Sequence, residues 1–381
     1  MVFLVFLKIL PMIDINKFPE KIFIEKSSFE YPLTRLILKK LDHVPFKVID
    51  NIEALDADLA MFLDPVGKGK RYLLLTRQKG DFVKPCPCTP LYLGCNYYVI
   101  NLDLNCPLDC SYCILQHYLA SPIVTVHVNT DKLWVQLDSF LQQNRRPLRI
   151  GTGELGDSLV LDHLTGRSKE LISYFRQKRS ALFELKTKTV NIKNVMDTDP
   201  GENIIIAWSL NACKIAQTEE KDAPPVEARL EAAQEVIKKG YRVAFHFDPI
   251  IRFSGWEDGY AEIVEKMLKK IPASKIAWIS LGSIRFPKEL KTVIAERFPD
   301  SKIIYEEFIQ GMDGKLRYFL PLRMELYEKI TSFIRGRENN KIPLYFCMES
   351  KQVWKKVLKK EPESKEQIEN DLTLLPGCLR L

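Results

Sequence analysis

From Tyr97 onward the sequence repeats one unit: a short apolar run of strand length, a turn carrying Gly or polar residues, and a longer stretch with the period of an amphipathic helix. This alternation leaves few folds open. Strands joined through helices must lie parallel, because the crossover carries the chain back to the edge where the previous strand began. Strands are predicted at Tyr97 to Leu104, Leu148 to Gly151, Leu182 to Thr187, Ile204 to Leu210, Arg242 to Pro249 and Lys275 to Leu281. Helices are predicted at Thr130 to Gln143, Gly166 to Lys178, Val226 to Lys239, Trp256 to Lys270 and Lys288 to Phe298. With about six strands the unit count favours an α/β fold built as an open, partial (β/α)6-type barrel, with ligands collecting at the C-terminal strand ends.

The chain divides, on this reading, into an N-terminal accessory domain of α+β type over residues 1–90, the partial barrel over 91–300 and a C-terminal extension over 301–381. The N-terminal unit carries a helix at Pro32 to Leu41 and strands at Phe46 to Ile49 and Tyr72 to Thr76. It ends at Lys84-Pro85-Cys86-Pro87-Cys88-Thr89-Pro90, where the prolines stop any helix or central strand. In the extension, Lys351 to Lys360 reads as helical and the acidic stretch Glu361 to Asp371 as exposed.

A chain of 381 residues that is 46% hydrophobic can bury one large core. Met1 to Leu10 is apolar but far short of the ~20 residues that span a bilayer, and no small-residue cleavage site follows it. The expectation is a cytoplasmic protein with no membrane association. Nine cysteines there argue for metal binding or catalysis rather than disulfides. The formal charge of +7 is compatible with a phosphate-rich partner without requiring one.

Three of those cysteines, Cys106, Cys110 and Cys113, fall within Asn105-Cys106-Pro107-Leu108-Asp109-Cys110-Ser111-Tyr112-Cys113, between a predicted strand and a helix. No second cysteine pair follows at the spacing of a tetrahedral zinc site. Three thiolates on one loop suit a cubane cluster with one iron left open.

This spacing, with Tyr112 as the aromatic residue before the last cysteine, resembles the radical S-adenosylmethionine superfamily. Further motifs are similar to those of the spore photoproduct lyase family. They are Cys113-Ile114-Leu115-Gln116, Asp157 with Asp162-His163-Leu164-Thr165, Thr187-Lys188, Ser209-Leu210-Asn211, Pro249-Ile250, Gly255-Trp256-Glu257 and Gly259-Tyr260. The resemblance implies a radical-type partial barrel with a [4Fe-4S] cluster on Cys106, Cys110 and Cys113. It implies S-adenosyl-L-methionine as cofactor, a 5′-deoxyadenosyl radical, and repair of thymine dimers in ultraviolet-damaged DNA as a carbon–carbon lyase. A one-electron reductant such as flavodoxin or ferredoxin would then be a partner, beside damaged DNA.

The same resemblance assigns Glu154, in Gly151-Thr152-Gly153-Glu154, to the methionyl amino group and Lys188 to its carboxylate, with Asp157, Ser209 and Asn211 as further cofactor contacts. The chain departs from the family at two positions. Glu154 stands where the lyases carry their hydrogen-donating cysteine, and Ile114 where they have a second tyrosine. Tyr112 and Cys213 are therefore the candidate catalytic residues, with Cys347 next, although for each thiol taken singly a buried small residue is the stronger reading. Cys86, Cys88 and Cys95 are candidates for a second metal site. Asp162 and His163 open a helix, where capping competes with chemistry.

For DNA, Arg252, Arg285, Lys288 and Lys291 could hold phosphates, with Trp256, Tyr260 and Phe286 supporting an extruded base. Two alternatives stay open: a radical enzyme of the same scaffold acting on a non-DNA substrate, and a nucleic-acid-binding protein with a structural or redox-sensing cluster.

Overall fold

The structure is a computed structural model that describes residues 18–89, 91–144, 146–336 and 341–373. The apolar segment Met1 to Leu10 lies outside the described residues. Two main sheets organise the chain.

The larger is an eight-stranded sheet curled into a half-barrel, in the order β18-β14-β13-β11-β10-β9-β5-β4. Its strands are β4 (Val83–Pro85), β5 (Tyr98–Ile100), β9 (Leu148–Thr152), β10 (Ala181–Thr187), β11 (Ile204–Ser209), β13 (Arg242–Ile250), β14 (Ile276–Ser283) and β18 (Leu344–Phe346). All neighbours pair in parallel except β4 with β5. The expected partial barrel is present and gains one parallel strand, β18, from the region read as an extension. β11 and β14 are buried along their whole length, as strands covered on both faces must be. The helices Thr130–Gln143, Val226–Lys239 and Trp256–Lys270 have the expected bounds. Gly240, at φ 115°, ends the second of them in the left-handed conformation that glycine adopts without strain.

The smaller sheet runs β2 (Phe46–Ile49), β1 (Lys21–Glu25), β3 (Tyr72–Thr76), β8 (Val124–His127) and β6 (Asp103–Leu104). The division expected near residue 90 is therefore not where the sheets divide. β4 pairs with the barrel, while β6 and β8 return to the N-terminal sheet. The run expected as one strand, Tyr97 to Leu104, splits between the two sheets for the same reason. Two short groupings complete the strands: β7 (Asp109–Cys110) with β12 (Glu220–Lys221), and β15 (Arg285–Phe286), β17 (Leu316–Tyr318) and β16 (Phe308–Gln310).

The acidic segment expected to be exposed instead contains the helix Lys365–Thr373, which buries Ile368, Glu369 and Leu372 against the barrel. Glu369 accepts hydrogen bonds from Asn96 Nδ2 at 2.7 Å and from the Arg149 amide at 3.2 Å. Among the described residues no helix is long and apolar enough to cross a membrane.

Inside the barrel, below the strand ends, lies a buried polar chain. Ser280 Oγ and His246 Nδ1 are 2.6 Å apart, and His246 Nε2 lies 2.8 Å from Glu184 Oε1. Burial alone would raise the Glu184 carboxyl, but His246 and Arg149 outweigh it and hold the group near 2. These three side chains line a small cavity that adjoins the cleft described next.

Candidate active site

The cysteine loop starts at Asn105, whose φ of 66° turns the chain away from β6. Asn105 makes that turn affordable in the left-handed region through local hydrogen bonds. Its Oδ1 accepts from the Cys106 amide at 2.9 Å, and its Nδ2 donates to the Pro122 carbonyl at 2.6 Å. Downstream the loop pairs with β12, with Cys110 opposite Glu220. Lys70, almost wholly buried, donates from Nζ to the carbonyls of Cys106 and Leu108 at 2.9 and 2.8 Å. Arg297 reaches Asp109 and Asp64 together, at 3.1 and 2.8 Å, so the loop is fastened to the segment before β3 as well. Gln116 Nε2 donates to the Ser111 carbonyl at 2.8 Å and closes the turn from the other side.

The three thiols line one wall of a cleft of ≈ 290 Å³ at the C-terminal strand ends. All three are free, and burial pushes Cys110 up to about 12 and Cys106 well above the ordinary thiol range. Among the described residues no three His, Cys, Asp or Glu side chains converge closely enough to chelate a single metal ion. A cubane asks something different, since each thiolate then reaches its own iron. The donor set, three thiols on a tied loop facing an open cleft, fits that group.

Of the other expected site residues, Tyr112, Glu154, Asp157, Lys188 and Ser209 line the same cleft, with Ile114 beside them. Glu154 follows Gly153, whose φ of 93° and close approach to Ser158 Oγ and the Lys186 carbonyl exclude a side chain there. Glu154 is ion-paired with Lys186, a residue the motifs did not single out. Asp157 faces inward more than outward. Its Oδ1 accepts from Thr187 Oγ1 at 2.7 Å and from the Leu159 and Val160 amides at 3.0 Å, and its Oδ2 accepts from the Lys188 amide at 2.7 Å. Its carboxylate thus pins the loop after β9 to the end of β10, which positions Lys188.

Lys188 Nζ lies 4.0 Å from Glu220 Oε1 and 5.6 Å from the centre of the Tyr112 ring. Tyr112 donates its hydroxyl hydrogen to Glu220, and burial together with that carboxylate pushes the phenol well above its ordinary range. Arg229, fully buried, pairs with the same carboxylate at 2.5 Å. Glu220, Arg229 and Lys70 are the structural residues that sequence reading missed. None belongs to a local motif; the β7–β12 pairing places Glu220, the ion pair with Glu220 places Arg229, and the bonds to the Cys106 and Leu108 carbonyls place Lys70.

Two expected residues do not belong to the cleft. Asn211 is buried: its Oδ1 accepts from Tyr260 at 2.7 Å and its Nδ2 donates to the Pro249 carbonyl at 2.9 Å. It ties strand ends together and does not line the cleft. Cys213 opens the helix Cys213–Glu219, and its Sγ lies against Glu227 at 3.6 Å and Lys266 at 3.9 Å, outside the cleft. Helix geometry turns it away from the strand end it follows.

A smaller cavity of ≈ 90 Å³ adjoins the cleft and is lined by Cys86, Cys88, Cys95 and Cys347, with Arg285 Nη2 donating to Cys347 Sγ at 3.2 Å. Of the residues expected to face DNA, Arg285 pairs with Asp248 at 3.1 Å, Arg252 pairs with Glu306 at 3.1 Å, and Lys288 and Lys291 are exposed. Trp256, Tyr260 and Phe286 are core residues and cannot support an extruded base. Asp162 does not cap the helix it opens; it accepts from the Ser168 amide at 2.8 Å and the Ser168 hydroxyl at 2.6 Å, a buried tie to the first turn of the next helix.

Known proteins can be set beside this geometry. The family model described as "Spore photoproduct lyase" matches residues 17–331. Spore photoproduct lyase of Bacillus subtilis (strain 168) is 26% identical over 300 residues, covering 76% of this chain and 85% of that protein. The enzyme of Clostridium acetobutylicum is 24% identical over 314 residues, covering 80% and 87%. A crystal structure of spore photoproduct lyase complexed with dinucleoside spore photoproduct superposes with a TM-score of 0.75 at 22% identity, covering 87% of this chain and 99% of that one. A variant with bound AdoMet and the same dinucleoside gives 0.74 at 22% identity, with equal coverage. With the match spanning most of both sheets and the cysteine loop between them, the chain belongs to the spore photoproduct lyase family of the radical S-adenosylmethionine superfamily.

Proposed function

We propose that this chain is a radical S-adenosylmethionine lyase that repairs thymine photodimers of the spore photoproduct type in DNA. The observation that carries the reading is the convergence of Cys106, Cys110, Cys113, Glu154 and Lys188 on one cleft at the strand ends. Relatives named as spore photoproduct lyases, and a structure of one with the dinucleoside lesion, support the substrate.

Cys106, Cys110 and Cys113 would hold a [4Fe-4S] cluster, leaving one iron for the cofactor's amino-acid end. Bound together, cluster and S-adenosyl-L-methionine supply a 5′-deoxyadenosyl radical. The chain's own part is placement. Glu154 offers a carboxylate to the methionyl ammonium, and Lys188 an ammonium to the methionyl carboxylate, each a charge-assisted contact. Ser209 lines the same wall. Lys70, Arg297 and β12 keep the thiol loop in one shape, and the cleft walls shield a reactive carbon from water. A low-potential carrier such as flavodoxin or ferredoxin would deliver the electron, and a cytoplasmic location belongs to the same proposal.

Glu154 and Ile114, at positions where the family's hydrogen-return residues are expected, favour a second reading in which the same machinery acts on a non-DNA substrate. Anaerobic reconstitution followed by assay of 5′-deoxyadenosine, with and without irradiated DNA, tests both. Cofactor cleavage with thymine recovery supports repair, and cleavage without it supports the second reading. Replacing any of Cys106, Cys110 or Cys113 by Ala should abolish the visible absorption and the cleavage. Iron content and cleavage unchanged in all three variants would overturn the cluster assignment.

A further inference from the structure

A carbon that has lost a hydrogen atom to a radical must receive one back before product leaves intact. An S–H bond is weak enough to supply it; a carboxylic O–H bond, the most Glu154 could offer, is not. Among the described residues lining the cleft the thiols are Cys86, Cys106, Cys110 and Cys113. Three belong to the cluster loop, so Cys86 is the thiol left over.

Its position is built. β4 runs antiparallel to β5, and the chain then turns sharply, with the Cys86 amide donating to the Tyr97 carbonyl at 2.7 Å and the Cys88 amide to the Cys86 carbonyl at 2.6 Å. This Cys-Pro-Cys turn sets the two cysteines on one tight bend, and both line the smaller cavity. Cys86 faces both the cleft and the smaller cavity, and Cys88 faces the smaller cavity alone. Gly94 makes room for Cys88, since a Cβ there would come within 2.5 Å of its sulfur. Cys95 and Cys347 lie in the smaller cavity and are not in the cleft.

We propose that Cys86 is the hydrogen-atom donor that ends the radical reaction, with Cys88 as the neighbouring thiolate that takes up the resulting thiyl radical. The assignment rests on the radical reading above. It is consistent with the opposite shifts of the two thiols. Its neighbour Cys88, then burial, pushes the Cys86 thiol up, while Cys86 draws the Cys88 thiol down to about 7.

The substrate radical takes the hydrogen atom of Cys86, so a C–H bond forms and the S–H bond breaks. The thiyl left on Cys86 joins the Cys88 thiolate in a three-electron sulfur–sulfur bond, a disulfide radical anion. One electron from the low-potential carrier and one proton from water return the pair to thiol and thiolate.

The test uses the full chain reconstituted anaerobically in deuterated buffer, where thiols carry deuterium. With irradiated DNA, the intact chain should place solvent deuterium in the repaired thymine. Cys86→Ser keeps a hydroxyl beside Cys88 but cannot donate the atom. It should lose the label and give fewer repaired bases per 5′-deoxyadenosine, the balance appearing as adducts.

Two further readouts need no lesion. Cofactor cleavage without substrate should deposit more deuterium in 5′-deoxyadenosine with the intact chain than with Cys86→Ser. In the cluster-free protein, mild oxidation should join Cys86 to Cys88, seen by peptide mass, and the Ser variant should not form that link. Clean, deuterated repair by Cys86→Ser overturns the proposal, as does substrate-free labelling indifferent to the substitution. Substrate-free labelling that depends on Cys86, without repair of irradiated DNA, overturns the lesion reading and leaves the donor standing. Absence of any cofactor cleavage overturns both.

Discussion

Replacing Lys70 by Met should loosen the cysteine loop without touching a cysteine. The ammonium is about 2% exposed and donates to the Cys106 and Leu108 carbonyls at 2.9 and 2.8 Å, with Asp109 at 4.0 Å. A hydrogen bond to a charged group contributes about 1.5–3 kcal/mol, and a buried carbonyl left without a donor costs about 1–3 kcal/mol. Met fills nearly the same space and has no charge to desolvate, which recovers part of that loss. The net is about 2–5 kcal/mol, or roughly 30-fold to a few thousand-fold in the equilibrium between closed and open loop. Amide hydrogen exchange in the cluster-free protein reads this directly. The Ser111 amide, bonded to the Glu219 carbonyl, and the Cys113 amide, bonded to the Cys110 carbonyl, should lose protection while the barrel strands keep theirs. Iron retained after reconstitution should fall in parallel. Unchanged protection across Leu108 to Cys113, with an unchanged melting temperature, would refute the idea that Lys70 holds the loop.

Glu154→Gln and Lys188→Ala should each weaken S-adenosylmethionine binding roughly ten- to a hundred-fold with iron retained, the size of one lost contact to a charged group, and equilibrium dialysis would show it. Normal affinity in both removes them from the site. His127 is drawn down to about 4 by burial and by Arg167. Between that value and about 6.5 the unfolded chain binds a proton that the folded chain does not, so stability falls as pH falls through this window, by roughly 3 kcal/mol in total. His127→Gln should flatten that part of the urea-midpoint profile, and an identical profile in parent and variant counts against the assignment. Cys213→Ala should leave the product pattern as it is, because its sulfur faces Glu227 and Lys266; a rise in adducts with that variant would return Cys213 to the reaction.

Local signals located most of the barrel. The helix Val226–Lys239 has Pro225 before it, Gly240 after it and an apolar stripe between, and these short-range features place both ends. The helix Leu320–Arg335 carries a similar stripe but lies in the region read as an extension, where no strand had been expected for it to cover. That strand, β18, has three residues, too few for periodicity to distinguish from a loop. β6 and β8 failed for another reason. Which sheet a short strand joins is decided by partners distant in sequence, and nothing in Asp103-Leu104 says that it will leave the barrel and lie against Val124 to His127.

The site divides along the same line. Cysteine spacing within one loop is a local property and was legible; the partners that fix charge in the cleft were not. Tyr112 meets Glu220 across 108 residues, Lys70 meets the cysteine loop across 36, and Glu154 meets Lys186 across 32. Those pairings decide what the cleft can accept. Lys186 is paired with Glu154, Arg285 with Asp248, and Lys188 faces Glu220, so carboxylates and cations alternate along the wall. A zwitterion with an ammonium and a carboxylate on one carbon can meet both signs at once, whereas a run of phosphates would meet the carboxylates at a cost in repulsion. The amino-acid end of the proposed cofactor therefore suits the cleft better than a run of phosphates does.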